Sequence, residues 1–225
     1  MNILKPSYEI LTEISEGAVN ELKHIEKIAR KCYKSEGAIT EDHTSAHKMI
    51  SKLIENHHEA MIEHSFLSVC FTVDRGVSHE MVRHRLASFA QESTRYCNYS
   101  KDKFNNSCNF IDIAGGIEIE QANKENPLTA EQIEYILEEW MEAIGDAEIH
   151  YMKLLELGAT PQIARSVLPN STKTEIVITT NYREWRQIFK LRTPHTAHPQ
   201  MREVMIELLK DLKNRIPLIF DDIEL

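Results

Sequence analysis

Glycine is scarce in this 225-residue chain, seven residues in all, and none falls in a G-x-G-x-x-G or G-x-x-x-x-G-K run. A glycine-rich loop that cradles phosphate with backbone N–H groups is therefore excluded, and with it a Rossmann fingerprint. Any phosphate-bearing ligand has to be held by side chains. Cysteine is scarcer still: Cys32, Cys70, Cys97 and Cys108 form no CxxC pair and no zinc-type spacing. Four thiols are too few for a disulfide scaffold at this length, so they read as reduced cysteines of a cytoplasmic protein. No window approaches the ~18 consecutive apolar residues of a membrane span, and Met1 to Ile10 lacks the basic-then-apolar order of a secretory leader. No membrane partner is expected. Positive charge is also in deficit, 26 Lys and Arg against 35 Asp and Glu, for a formal net charge of -9. That argues against general nucleic-acid binding, which depends on many cations releasing counterions.

What is present is ordinary for a soluble globular domain: 42% hydrophobic and 27% charged residues. The length suits one domain over residues 1–225 with a real core. Apolar spacings of three and four predict helices over 13–33, through Leu22, Ile25 and Ala29, and over 41–57, through Ala46, Ile50 and Leu53, the second capped by Asp42 or Thr44. Alternation predicts a strand over 65–73, then a short helix over 77–84. A further strand over 109–114 is expected to stop at Gly115-Gly116, and 117–127 reads as a charged excursion without a period. Thr129 with Gln132 makes a capping box for a long helix ending near Gly158. Thr160-Pro161 opens a helix expected to pack Ile163, Ala164, Val167 and Leu168. The β-branched run 172–180 reads as an interior strand; Asn181 with Glu184 opens a helix to 191, and 198–214 is the last helix.

Chemistry-bearing residues crowd into one stretch, Arg83-His84-Arg85 through Tyr96. Each guanidinium offers a planar fork of donors that fits a phosphate and stays charged at any working pH. If the segment after Ala90 is extended, Gln91, Ser93, Arg95 and Cys97 share one face and Glu92, Thr94 and Tyr96 the other. An amide, a hydroxyl and a guanidinium on one face suit a nucleotide. Taken singly, each arginine is more simply read as half of a surface ion pair, and it is the contiguous Arg-His-Arg run that favours a ligand. A second crowding runs from Asn181 to Arg192 and on to His195 and His198; on a helix Arg183 and Gln187 share a face, and its free N–H groups favour an anion. The histidine-rich stretch His57 to His64 invites a metal, but HExxH started at His58 meets Ile62 where the second histidine is required.

Arg83-His84-Arg85, seven residues, then Ser93 followed by Thr94-Arg95-Tyr96, resembles the signature of the flavin-dependent thymidylate synthases, the ThyX family. Asn181-x-Arg183, Leu191-Arg192 and His198-x-Gln200 resemble its second block, and Ala164-Arg165 through Leu168-Pro169 agree as well. His58, Glu63 and His64 fit a third family pattern, His-x-[Ser/Thr]-x-x-Glu-His, with Ala60 replacing the hydroxyl. The resemblance implies a single-domain α+β fold, a central antiparallel-type sheet flanked by helices. It implies FAD held by His58, Ala60, Glu63, Arg83, His84, Arg85, Gln91, Asn181, Arg183, Gln187 and His198. It implies dUMP among Glu80, Arg83, Gln91, Ser93, Arg95, Arg165 and Arg192. The implied reaction converts dUMP to dTMP with methylenetetrahydrofolate and NADPH, in a homotetramer whose active sites are shared between chains. Arg192 is the residue implied to polarise the uracil, and no cysteine here has the neighbouring base a nucleophile needs. Two departures stand out: Ala90-Gln91 replaces Asn-Glu, and Glu80 replaces Gln, where it could repel a phosphate or accept from a ribose hydroxyl. The linkage from Arg192 to His198 is also long. Two other readings stay open, a metal-dependent phosphohydrolase built on His57, His58, His64 and His84, and a nucleotide-binding regulator without catalysis.

Overall fold

The computed structural model describes residues 1–122 and 124–224. Among the described residues six strands form two sheets: β1 (Asn2–Leu4), β2 (Ser7–Ile10), β3 (Phe66–Asp74), β4 (Ala87–Gln91), β5 (Asn109–Ile111) and β6 (Lys173–Asn181). The main sheet is antiparallel in the order β2-β3-β6-β4, and β1 pairs parallel with β5 in a two-stranded ribbon. β6 is interior, as its β-branched run predicts. It pairs with β3 over its whole length, from Phe66 opposite Asn181 to Asp74 opposite Lys173, and with β4 from Ala87 opposite Thr180 to Gln91 opposite Ile176.

Nine α-helices run α1 (Val19–Tyr33), α2 (Thr44–Glu55), α3 (Arg75–Met81), α4 (Ala114–Gln121), α5 (Ala130–Glu156), α6 (Pro161–Ala164), α7 (Tyr182–Arg192), α8 (Pro199–Arg215) and α9 (Pro217–Phe220) among the described residues. One face of the sheet supplies Leu67, Val69, Phe71, Ile176 and Ile178, which bury against Trp185 and Phe189 of α7 and Met205 and Leu208 of α8. Burial of such side chains, about 1.5–3 kcal/mol each, is what holds the helices on the sheet. A second cluster joins Tyr99, Phe110, Ile144, Tyr151 and Ala164 beneath α5. Thr129 caps α5 with both halves of the capping box formed, and Gly158 sits at φ 97° just past its end, as the sequence predicts.

Four expectations are corrected. The first long helix begins at Val19 because Gly17 and Ala18 take positive φ and Ser15 receives the N–H of Asn20. Gly115 and Gly116 do not end a strand; they lie inside α4, where neither leaves room for a Cβ against Glu203 and Gln200 of α8. Residues 117–121, read as part of an excursion, continue that helix. Ile163 and Val167 are exposed instead of packed.

Candidate active site

The first crowded stretch is built by α3 and the turn after it. Asp74 caps α3, its Oδ1 accepting from the Val77 N–H at 2.6 Å. Burial pushes the Asp74 carboxyl up, opposed by that N–H and by nearby His198. α3 stops at Met81 and the chain turns so that His84 points inward, 7% exposed, while Arg83 and Arg85 on either side face solvent. Neither of these two arginines has an ion pair among the described residues. Thr180 donates to the Leu86 carbonyl at 2.6 Å and so fixes where β4 leaves this turn.

His84 lies against α7, on the face shared by Glu184, Ile188 and Arg192 at i, i+4 and i+8. Arg192 Nε donates to His84 Nε2 at 3.0 Å, Nη1 donates to Glu80 Oε2 at 2.8 Å, and Nη2 donates to the Glu80 carbonyl at 3.2 Å. His84 Nδ1 stands 3.7 Å from Glu184 Oε1. Burial and then the adjacent Arg192 cation push His84 down to about 4, so the ring is neutral and free to accept from Arg192. The ring assigned by resemblance to direct cofactor contact is thus engaged inside the chain. Glu80, assigned to the nucleotide, has its carboxylate on Arg192.

The second stretch meets the first at the β6–α7 junction. Asn181 caps α7 with Oδ1 accepting from the Glu184 N–H at 2.8 Å. Beside it a turn of 3₁₀ helix, Glu59–His64, packs on α7. Arg183 pairs there with Glu63 and, at 3.8 Å, with Glu59. Arg186 is buried and pairs with Glu59 at 3.1 Å and with Asp222 at 2.6 Å. His58, Ala60 and Gln187 are exposed. His198 sits near Asp74, and Asp74 lies at the opposite end of β3 from Phe66 and the Arg183 cluster. Within one chain, then, it is not brought to the residues with which it was grouped.

Past β4 the expected extended face does not exist. The extended segment is 87–91; Ser93 then turns the chain, its hydroxyl accepting from the Arg95 N–H at 3.3 Å and its carbonyl from the Tyr96 and Cys97 N–H groups at 3.1 and 2.9 Å. Gln91 stays with the sheet and donates to Ser78 Oγ at 2.9 Å and Thr174 Oγ1 at 3.2 Å. Arg165 Nη1 donates to Thr94 Oγ1 at 2.9 Å. Arg165, Arg75, His79, Gln162 and Asn170 line a cleft of about 470 Å³ in which no described lining residue is a carboxylate. Arg95 is exposed, its guanidinium 5.5 Å from the Tyr96 ring centre.

Arg75 and His79 carry no motif, so sequence reading passes over them, and it reads Thr94 only as part of the signature stretch and Glu184 only as a helix-cap partner. Among the described residues no three His, Cys, Asp or Glu side chains are grouped to hold a metal ion, and the four-histidine cluster does not assemble. Burial pushes the thiols of Cys70 and Cys97 up and that of Cys108 up to about 12, the reverse of what a thiolate nucleophile requires. No helix among the described residues is long and apolar enough to cross a membrane.

Residues 16–218 match the family described as thymidylate synthase complementing protein. The chain belongs to that family, the flavin-dependent thymidylate synthases. It is 32% identical to the flavin-dependent thymidylate synthase of Corynebacterium aurimucosum over 93% of this chain and 83% of that one. It is likewise 32% identical to that of Geobacter sulfurreducens, over 86% and 78%. Its fold is similar to that of the UMP/dUMP methylase PolB from Streptomyces cacaoi, solved with 5-Br dUMP, at a TM-score of 0.80 and 19% identity over 98% of this chain and 96% of that one.

Proposed function

We propose that this protein carries out the FAD-dependent reductive methylation of dUMP to dTMP, with methylenetetrahydrofolate as one-carbon donor and NADPH as reductant. The observation that carries the reading is the convergence of Glu80 and His84 on the guanidinium of Arg192, which lies more than 100 residues from either in sequence. Five N–H donors belong to that group and three are spent inside the chain, leaving one on each terminal nitrogen. A fixed cation with two free donors suits the amide edge of a uracil ring, where it would stabilise negative charge developing on nitrogen and oxygen.

The donor set also fits FAD. Arg83 and Arg85 present guanidiniums without carboxylate partners among the described residues, as a pyrophosphate requires where no glycine loop exists. Arg183, Gln187, His58 and the backbone at Ala60 would line the rest, with Arg183 exchanging part of its contact with Glu63 for the cofactor. When bound, FAD would supply the reducing equivalents, which are beyond any side chain here. Gln91, Ser93, Arg95 and Arg165 would bind the nucleotide, the Arg165 cleft taking its phosphate. The departures at Ala60 and Gln91 fit this arrangement: Ala60 leaves its backbone open, and Gln91 keeps its amide oxygen free after donating twice.

Sites completed by neighbouring chains of a homotetramer account for three features together: Arg83 and Arg85 stand in solvent, His198 lies apart, and Phe66, Leu86 and Tyr96 are 57%, 73% and 78% exposed beside the candidate residues. The test is the purified protein itself. Flavin absorbance in the visible range and formation of dTMP from dUMP with the folate donor and NADPH are expected; a colourless protein that binds no added FAD refutes the proposal.

A further inference from the structure

We infer that Glu80 is a positioning residue that acts through Arg192: its carboxylate and its main-chain carbonyl aim the guanidinium at the substrate, and the carboxylate does not itself bind the nucleotide. This rests on the proposed role of Arg192 and deepens it. An arginine head group on a flexible stem samples many orientations, and a single contact leaves it free to swing. Here all three nitrogens are held from the end of α3: Nη1 and Nη2 by the two oxygen types of Glu80, Nε by His84 four residues on. Two acceptors sit on one residue at the last turn of a helix whose start is pinned by Asp74, so the aim is set by backbone rather than by loop.

The assignment also explains why a carboxylate is tolerated beside an anionic substrate. At 2.8 Å from Nη1 the Glu80 charge is offset by Arg192, and the pair presents two N–H donors instead of a bare negative group. A neutral His84 is part of the same device. A second cation at Nε would repel Arg192, and the ring is kept uncharged by its surroundings, with Arg192 and Glu184 as the charged groups facing it.

The test compares Glu80→Ala and Glu80→Gln with the unaltered holoenzyme. Loss of the carboxylate misdirects the fork, so Glu80→Ala should lower kcat on the order of 10- to 100-fold while KM for dUMP changes little. Glu80→Gln keeps an acceptor oxygen and should recover most of that loss. Glu80→Ala combined with Arg192→Ala should be no slower than Arg192→Ala alone. A rise in KM for dUMP at unchanged kcat overturns the inference, because Glu80 would then be touching the nucleotide. The second readout needs no catalysis: NMR titration of the His84 ring in flavin-free protein. Both variants lose the carboxylate charge, and only Glu80→Ala loses the side-chain acceptor that holds Arg192 against the ring, so His84 in Glu80→Ala should titrate at higher pH than in Glu80→Gln. The same His84 titration in both variants overturns the inference whatever the activity. If Arg192→Ala retains turnover, the role of Arg192 falls, and the His84 titration still decides whether Glu80 holds it.

Discussion

Glu203 of α8 is a carboxyl buried where the chain would do better with an amide, and replacing it should make the protein more stable only on the alkaline side. Its Oε2 has no hydrogen-bond partner, and the side chain is pressed against Gly115 of α4. Burial, with the negative charge of Asp112 beside it, pushes the group from 4.5 up to about 7, against the opposing pull of Lys5. The folded state therefore holds a proton that the unfolded chain releases between those values. Stability from this site is fully present below pH 4.5 and is lost as pH rises through 7. At 1.36 kcal/mol per pH unit the full displacement is worth about 3 kcal/mol; the side chain is only half-buried, and solvent screening brings this to roughly 1–2 kcal/mol. Glu203→Gln keeps the shape and cannot ionise. Urea denaturation of both proteins at pH 5 and pH 8 reads the effect as a double difference, from which titrating groups not coupled to Glu203 cancel. Glu203→Gln should gain roughly 1–2 kcal/mol over the unaltered protein on going from pH 5 to pH 8. A gap between the two proteins that is the same at both pH values refutes the reasoning.

His84 has the opposite slope: its pKa lies below the ordinary 6.5, so the folded state resists a proton that the unfolded chain accepts, and stability falls as pH drops from about 6.5 to about 4 by roughly 3 kcal/mol. His84→Gln should flatten that acid limb in denaturation measured from pH 7 to pH 4. Arg186→Ala leaves Glu59 and Asp222 facing an emptied buried site and should cost roughly 3 kcal/mol, read as a lowered urea midpoint; a loss below about 0.5 kcal/mol refutes it. Arg192→Ala should abolish dTMP formation while protein-bound flavin, measured by absorbance, stays largely in place; loss of flavin with full turnover by the remaining holoenzyme refutes its assignment.

What was legible in the sequence was local. Thr129 with Gln132 and Asn181 with Glu184 announce helix starts because the cap and its N–H partner are three residues apart. The β-branched run of β6 announces an interior strand because it, too, is read from residues adjacent in sequence. The segment after Ala90 was misread because Ser93 competes with an extended backbone through its own hydroxyl and carbonyl, and the strand proper lies a few residues earlier. Gly115-Gly116 reads as a breaker, whereas here it permits one helix to approach another. Arg192 was singled out by motif alone; its holders Glu80 and His84 lie 112 and 108 residues away, a pairing that only tertiary packing creates. Glu80 itself, read as an awkward charge beside a nucleotide, has a partner that no spacing rule supplies.

β6 gives the arrangement a ruler. Asn181 at one end opens the helix that carries Arg183, and Thr174 near the other touches Gln91 and Arg75, so the two halves of the candidate site hang from a single nine-residue strand about 27 Å long. Loops around the site can lengthen without altering that spacing. A residue added to or taken from the strand cannot, because it turns every side chain beyond it to the other face of the sheet. Variation that retunes what this fold accepts is accordingly to be sought in the turns at its two ends, and the strand between them should keep its length.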